Sequence, residues 1–274
     1  MNATSAHVET LLFAQHGWAD NNRAMQRFGE ALALPAAQVI APNLGFVRTW
    51  IRIEPLIEIV EREAERAIAE HPQARIRVVG HSMGGLIWIE LLTRHPEWLV
   101  RTDRLALIGC PVGGAELAAI LDPLGLTIGR DLRVDRRAKA EAIAAIVPTL
   151  TVVGDLLGAH DGTVSHESAR LVNARFVLTP SATHATLRHS PWVTRLVRAF
   201  LRAALNSVTK VSSSRPWSAS HASRRCPASC SAARSAASAA PRTGMYTPTV
   251  RPCFVTATGA SPSRKAASCS RNSR

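Results

Sequence analysis

The sequence predicts an α/β protein: a three-layer αβα sandwich around a mostly parallel six-stranded sheet, followed by a disordered basic tail. Three observations carry that expectation. Short apolar, β-branched runs alternate with amphipathic helical stretches from residue 7 to about 205. Alternation of this kind builds a parallel sheet with helices on both faces. One of the runs breaks into Gly80-His81-Ser82-Met83-Gly84-Gly85. Glycines flanking a serine at −2 and +2 suit a strand that turns into a helix within one residue. Beyond residue 206 the hydrophobic period stops altogether.

In chain order, residues 7–14 read as the first strand, carried by Val8, Leu11, Leu12 and Phe13 and ending in Gln15-His16-Gly17-Trp18. Asp20-Asn21-Asn22 offers caps for a helix marked by Met25, Phe28, Leu32 and Leu34. A short strand over 38–41 stops at Pro42-Asn43. Residues 53–69 form a long helix with Leu56, Ile57, Val60, Ala64, Ala67 and Ile68 at helical spacing. The strand 76–79 leads into the serine turn, and the helix after it ends at His95-Pro96. Residues 105–110 are the next strand. Residues 111–147 are less regular and read as a short cap, with an apolar stretch over 117–128 and a charged helical part over 135–146. Strand 149–154, loop 155–162, helix 164–172, strand 175–178 and a closing amphipathic helix 192–205 complete the body, giving domain bounds of 1–206. The apolar stretch is equally compatible with a lid, an acyl-binding wall and plain core.

The 274 residues are 46% hydrophobic, enough for one substantial core. The formal charge of +13 misleads, because residues 208–274 hold eleven Lys or Arg and no Asp or Glu, leaving about +2 for the rest. Residues 207–274 are rich in Ser, Ala, Arg and Pro and read as disordered, since they cannot bury enough apolar surface to offset their ordering entropy. No aromatic interleaving accompanies this charge, so no nucleic-acid partner is expected. Four of the five cysteines lie in the tail without metal-site spacing, and Cys110 reads as a small buried hydrophobe. No signal peptide and no membrane span are read, which makes the cytoplasm the default location.

A serine hydroxyl is a poor nucleophile without a base, and the base needs an acid to hold its tautomer. On this architecture the chain order is Ser, then Asp or Glu, then His. Asp155 and Asp161 both follow the strand 149–154, and His184 and His189 both follow the strand 175–178. His16 reads as a brace for the loop after the first strand, His71 and His95 as helix C-caps, and His160 and His166 as solvated. Trp88 and Trp98 read as packing.

Four segments together resemble an α/β-hydrolase superfamily serine hydrolase of the small esterase or lipase kind, over roughly residues 8–205: His16-Gly17-Trp18, Gly80-His81-Ser82-Met83-Gly84-Gly85, Asp161-Gly162-Thr163-Val164, and His184 ahead of the final helix. The resemblance implies Ser82 as nucleophile, Asp161 as orienting acid, His184 as general base, and an oxyanion hole from the backbone N–H groups of Met83 and Trp18. It implies cleavage of a small-molecule carboxylic ester through an acyl-enzyme, with no metal or organic cofactor. A thioesterase or amidase would use the same parts, and a non-catalytic binding protein is the reading from another class. Family members often open with two extra antiparallel strands that residues 1–7 are too few to supply. This and the short cap imply a minimal core with an open pocket.

Overall fold

A computed structural model describes residues 7–115, 122, 124, 126–156 and 158–203. The predicted tail, and most of the predicted apolar stretch 117–128, lie outside the described residues. Six strands, β1 (Thr10–Gln15), β2 (Ala37–Ile40), β3 (Arg75–His81), β4 (Thr102–Ile108), β5 (Thr149–Asp155) and β6 (Arg175–Pro180), form one sheet in the order β2-β1-β3-β4-β5-β6. Every neighbouring pair runs parallel.

The strands alternate their apolar residues between two cores, as a period of two demands. Leu11, Phe13, Ile76, Val78, Leu105 and Leu107 face a core shared with α2 (Glu54–Glu70) and α3 (Met83–Arg94). Leu12, Ala14, Val79, Ala106, Leu150 and Val152 face a second core, with Met25 and Phe28 of α1 (Asn22–Ala31) and Val193, Val197 and Leu201 of α8 (Pro191–Arg202). These layers are the predicted sandwich. Within it, Trp88 is fully buried with its ring 4.6 Å from that of Phe13.

Several bounds differ from the sequence expectation for identifiable reasons. A short helix, α4 (Pro96–Arg101), follows α3 directly, because Pro96 occupies a first-turn position where no N–H is needed. Strand β4 begins three residues earlier than predicted, at Thr102. Its polar start is satisfied: Thr102 Oγ1 donates to Trp98 O at 2.8 Å, and Asp103 pairs with Arg75 at 2.7 Å. The predicted cap contributes α5 (Ile128–Leu132) and α6 (Arg137–Ala144). The predicted helix 164–172 shrinks to a single turn, α7 (His166–Ala169), capped by Ser165, whose side chain accepts from Ser168 N. Arg170 is extended, which ends it.

Between β3 and α3 stands Ser82, with φ 55° and ψ −128°. Positive φ is a strained setting for a residue with a Cβ. The turn is tight enough that a Cβ on Gly84 would lie 2.4 Å from Gln15 O, so only glycine fits there.

Candidate active site

The strand order reverses at β1, which lies between β2 and β3. Connections from β1 and β3 leave toward opposite sides there, opening a crevice at the strands' carboxyl ends. Ser82 stands at the end of β3 and Trp18 in the loop after β1. The two loops touch: a Cβ on Gly17 would lie 2.9 Å from Ser82 Cβ and 3.0 Å from Met83 N. Among the described residues, neither the Met83 nor the Trp18 backbone N–H finds an acceptor.

His184 and Asp161 come from the loops after β6 and β5 and are joined twice. His184 N donates to Asp161 O at 2.8 Å, and His184 Nδ1 lies 2.8 Å from Asp161 Oδ2. A carboxylate only accepts, so Nδ1 carries the proton; in the neutral ring Nε2 then holds the lone pair. Asp161 is fully buried, and its other oxygen accepts from Thr163 N at 2.9 Å and Val164 N at 2.7 Å. Of the two candidate acids, Asp155 instead accepts from Gly158 N at 2.8 Å, with His166 Nε2 3.6 Å away, and makes no hydrogen bond to His184. Of the two candidate bases, His189 is an exposed residue at the end of a short 3-10 turn (Leu187–His189).

Ser82 and His184 line one cavity of about 260 Å³ with Trp18, Trp50, Ile128 and Arg188. Among the described residues the Ser82 hydroxyl has no hydrogen bond of its own. Ile128, the last residue of the predicted apolar stretch, belongs to both the cavity wall and the core, as does Leu132 beyond it.

Other residues that hold the site carried no sequence signal of their role. His81 is buried, and its Nε2 donates to the carbonyl of His184 at 3.1 Å. Burial first, and then the neighbouring His184, hold its pKa well below the ordinary histidine value, so it is neutral. Thr49 accepts from Ala19 N at 3.1 Å and donates to Phe46 O at 2.6 Å, fixing the loop that carries Trp18. His16 braces that loop as expected. It accepts from Leu44 N at 3.1 Å and its Nδ1 donates to Gly17 O at 3.0 Å. Burial also lowers its pKa, against the pull of that hydrogen bond.

One reading of a histidine is corrected. His166 is not solvated: its side chain is 14% exposed, and Nε2 lies 3.1 Å from Gly154 O. His95 is the C-cap residue of α3, as read, its backbone N–H donating to Leu91 O, and its ring has a second task. It bridges Glu61 at 2.7 Å and Glu97 at 2.9 Å and stacks on Trp98.

The fold itself is matched among solved structures. A lipase from Bacillus licheniformis, BlEst2 in its mature form, superposes with a TM-score of 0.54 at 16% identity, covering 71% of this chain and 92% of that one. Est1E from Butyrivibrio proteoclasticus, with ferulic acid bound, gives 0.56 at 18% identity, over 73% and 90%. The metagenomic carboxyl esterase MGS0156 gives 0.51 at 15% identity, over 67% and 66%. The chain has the α/β-hydrolase fold. No protein-family model matches the sequence, and no curated protein matches it closely enough to count. In this α/β-hydrolase fold, no group of three or more His, Cys, Asp or Glu among the described residues is placed to hold a metal ion. Among the same residues no helix is long and apolar enough to cross a membrane.

Proposed function

We propose that the protein is a serine hydrolase that cleaves a carboxylic ester through an acyl-enzyme. One observation supports this above the rest: a serine held at positive φ on a strand–helix turn opens into the same cavity as an imidazole whose Nδ1 is tied to a buried carboxylate. A structural serine in a turn requires no such partner. The similar solved structures include a lipase and a carboxyl esterase, and at their identity they lend support through fold alone.

In the proposed reaction Ser82 Oγ attacks the ester carbonyl carbon while His184 Nε2 takes the hydroxyl proton. The resulting oxyanion accepts from the Met83 and Trp18 N–H groups, each worth roughly 3 kcal/mol in the transition state. Asp161 holds the ring in the accepting tautomer and stabilises the imidazolium. The carbonyl–oxygen bond to the alcohol breaks, and His184 returns its proton to the leaving alkoxide. Water then attacks the acyl-serine by the same route in reverse, releasing acid and restoring Ser82. A cavity of about 260 Å³ suits a modest acyl or small aromatic ester.

The test is turnover of short p-nitrophenyl esters by the wild type and by Ser82→Ala. We expect wild-type turnover and a loss of about 10⁴-fold or more in the variant. Equal rates would refute the assignment. Labelling of Ser82 by a fluorophosphonate separates this reading from a non-catalytic binding protein, which would fold and remain unlabelled.

A further inference from the structure

Beside the cavity the usual distribution of polarity is inverted. Phe46, Val47, Trp50 and Ile51 follow β2, and Leu124 and Leu126 precede α5; these six residues are between 42% and 79% exposed. The polar residues Thr49, Asp122 and Asp131 of the same stretches are buried and hold them from beneath. Thr49 accepts from Ala19 N and donates to Phe46 O. Asp122 accepts from Leu126 N, Thr127 N and Arg130 N. Asp131 accepts from Ile53 N at 2.9 Å and Arg52 Nε at 3.0 Å, which ties the two stretches to each other. Both also reach the cavity that Ser82 and His184 line, one through Trp50 and the other through Asp122 and Thr127. Trp50 packs its ring 4.5 Å from that of Trp18 and is still half-exposed, so it stands at the opening. The exposed apolar residues are thus a built rim on the cavity side of the molecule.

Clustered large apolar residues on a surface mark a place that something covers. The charges beside them narrow the occupant. Residues 43–53 contain no Asp or Glu, and residues 124–134 contain only Asp131, which is buried against Arg52. The carboxylates just outside are engaged: Glu54 by Arg94, and Asp135 by Arg137 N. The cations are not. Arg48, Arg130 and Arg133 are exposed, and none forms an ion pair among the described residues. A second copy meeting this face across a two-fold axis would set the same cations against one another. A folded partner would stand over the opening of the cavity and close it. An anionic lipid surface meets both features: the apolar side chains enter the headgroup boundary, where tryptophan is favoured, and the arginines stay at the level of the phosphates. We propose that this rim docks the protein on a bilayer that carries anionic phospholipid. The docking is independent of the ester-hydrolase reading and is tested by binding.

The test is co-sedimentation of the full chain with vesicles of phosphatidylcholine, alone or with about 30% phosphatidylglycerol, at about 0.1 M salt. The rim variant is Val47→Ser/Ile51→Ser, at two exposed positions that do not line the cavity. It leaves the net charge unchanged, so any pull from the eleven basic residues of 208–274 is the same as in the wild type. The control is Val100→Ser/Val172→Ser, two exposed apolar residues outside the rim. The wild type should sediment with the anionic vesicles, the rim variant should partition at least about tenfold more weakly, and the control should match the wild type. Arg48→Gln/Arg133→Gln should weaken binding at least about tenfold on anionic vesicles and leave neutral ones unaffected. A wild type that stays in solution overturns the docking. So does a rim variant that binds as the wild type does, because another part of the chain then makes the contact, and so do equal losses in rim and control variants. An arginine variant that binds like the wild type overturns the choice of an anionic surface. A dimer in sedimentation velocity that the rim variant abolishes, without vesicle binding, gives the rim to a second copy and overturns the proposal as well.

Discussion

Replacing Asp161 by Asn reverses one hydrogen bond at nearly constant volume. The two carboxylate oxygens have separate duties: one accepts from Thr163 N and Val164 N at 2.9 and 2.7 Å, the other from His184 Nδ1 at 2.8 Å. An asparagine has a single acceptor oxygen, and the two buried backbone N–H groups claim it. Its NH₂ then faces His184 and donates, so Nδ1 must accept and the proton moves to Nε2. An imidazole protonated at Nε2 cannot take the proton of Ser82. The expected loss in kcat is about 10⁴-fold, or roughly 5 kcal/mol of barrier. Folding should suffer little, with Tm lower by no more than about 8 °C, because only one charge-assisted bond weakens. Asp161→Ala provides the contrast. It strips both backbone donors as well, at about 1–3 kcal/mol each, and should lower Tm further. The assays are p-nitrophenyl butyrate hydrolysis and thermal unfolding by circular dichroism. An Asn variant with an intact Tm and more than a tenth of wild-type kcat would refute the tautomer argument.

Three further outcomes follow from other parts of the structure. Gly109→Ala places a Cβ 2.9 Å from His184 Nδ1 at φ +55°; esterase activity should drop at least about tenfold as the ring is pushed off Asp161, and wild-type kinetics would contradict this. Arg136 is buried against Glu90 at 2.8 Å and also donates to Asp131 O and Val134 O, so Arg136→Ala should cost about 3–5 kcal/mol and show as a Tm lower by at least about 6 °C. Stability should also fall on acidification: His81 and His16 have folded pKa values below 6.5 because burial disfavours their charged form, so the unfolded chain binds more protons once pH drops below about 6.5. His95, raised by Glu61 and Glu97 against its own desolvation, acts in the opposite sense. Urea midpoints at pH 7.5 and 5.5 in a His95→Asn background isolate the first effect, and an unchanged midpoint would sink it.

What the sequence made legible was local. Ser82 needed only its flanking glycines and the change of period from strand to helix. Asp161 and His184 needed the order of elements, since each follows a strand, but the choices against Asp155 and His189 were tertiary. His184 lies near Asp161 because its own N–H bonds the Asp161 carbonyl, a contact with no periodic signature. His81 to His184 spans 103 positions and Ala19 to Thr49 spans 30. Neither pair has a spacing that a helix or strand would produce, so neither was visible. The bounds of β4 failed for a different reason: polar residues at its start mimic a loop until Arg75 and Trp98 are known to meet them.

The sheet order explains how such distant pieces share one cavity. The serine and the Trp18 loop are neighbours because β1 and β3 are neighbours at the reversal. The histidine and aspartate are not: they arrive from β6 and β5, and β4 stands between β5 and the serine's own strand. The imidazole of His184 lies over the end of β4, against Gly109, where any Cβ would intrude on the ring. His81 closes the arrangement from the other side, giving its ring N–H to the His184 carbonyl from the position just before the serine. The strand that presents the hydroxyl thus also anchors the loop that carries His184.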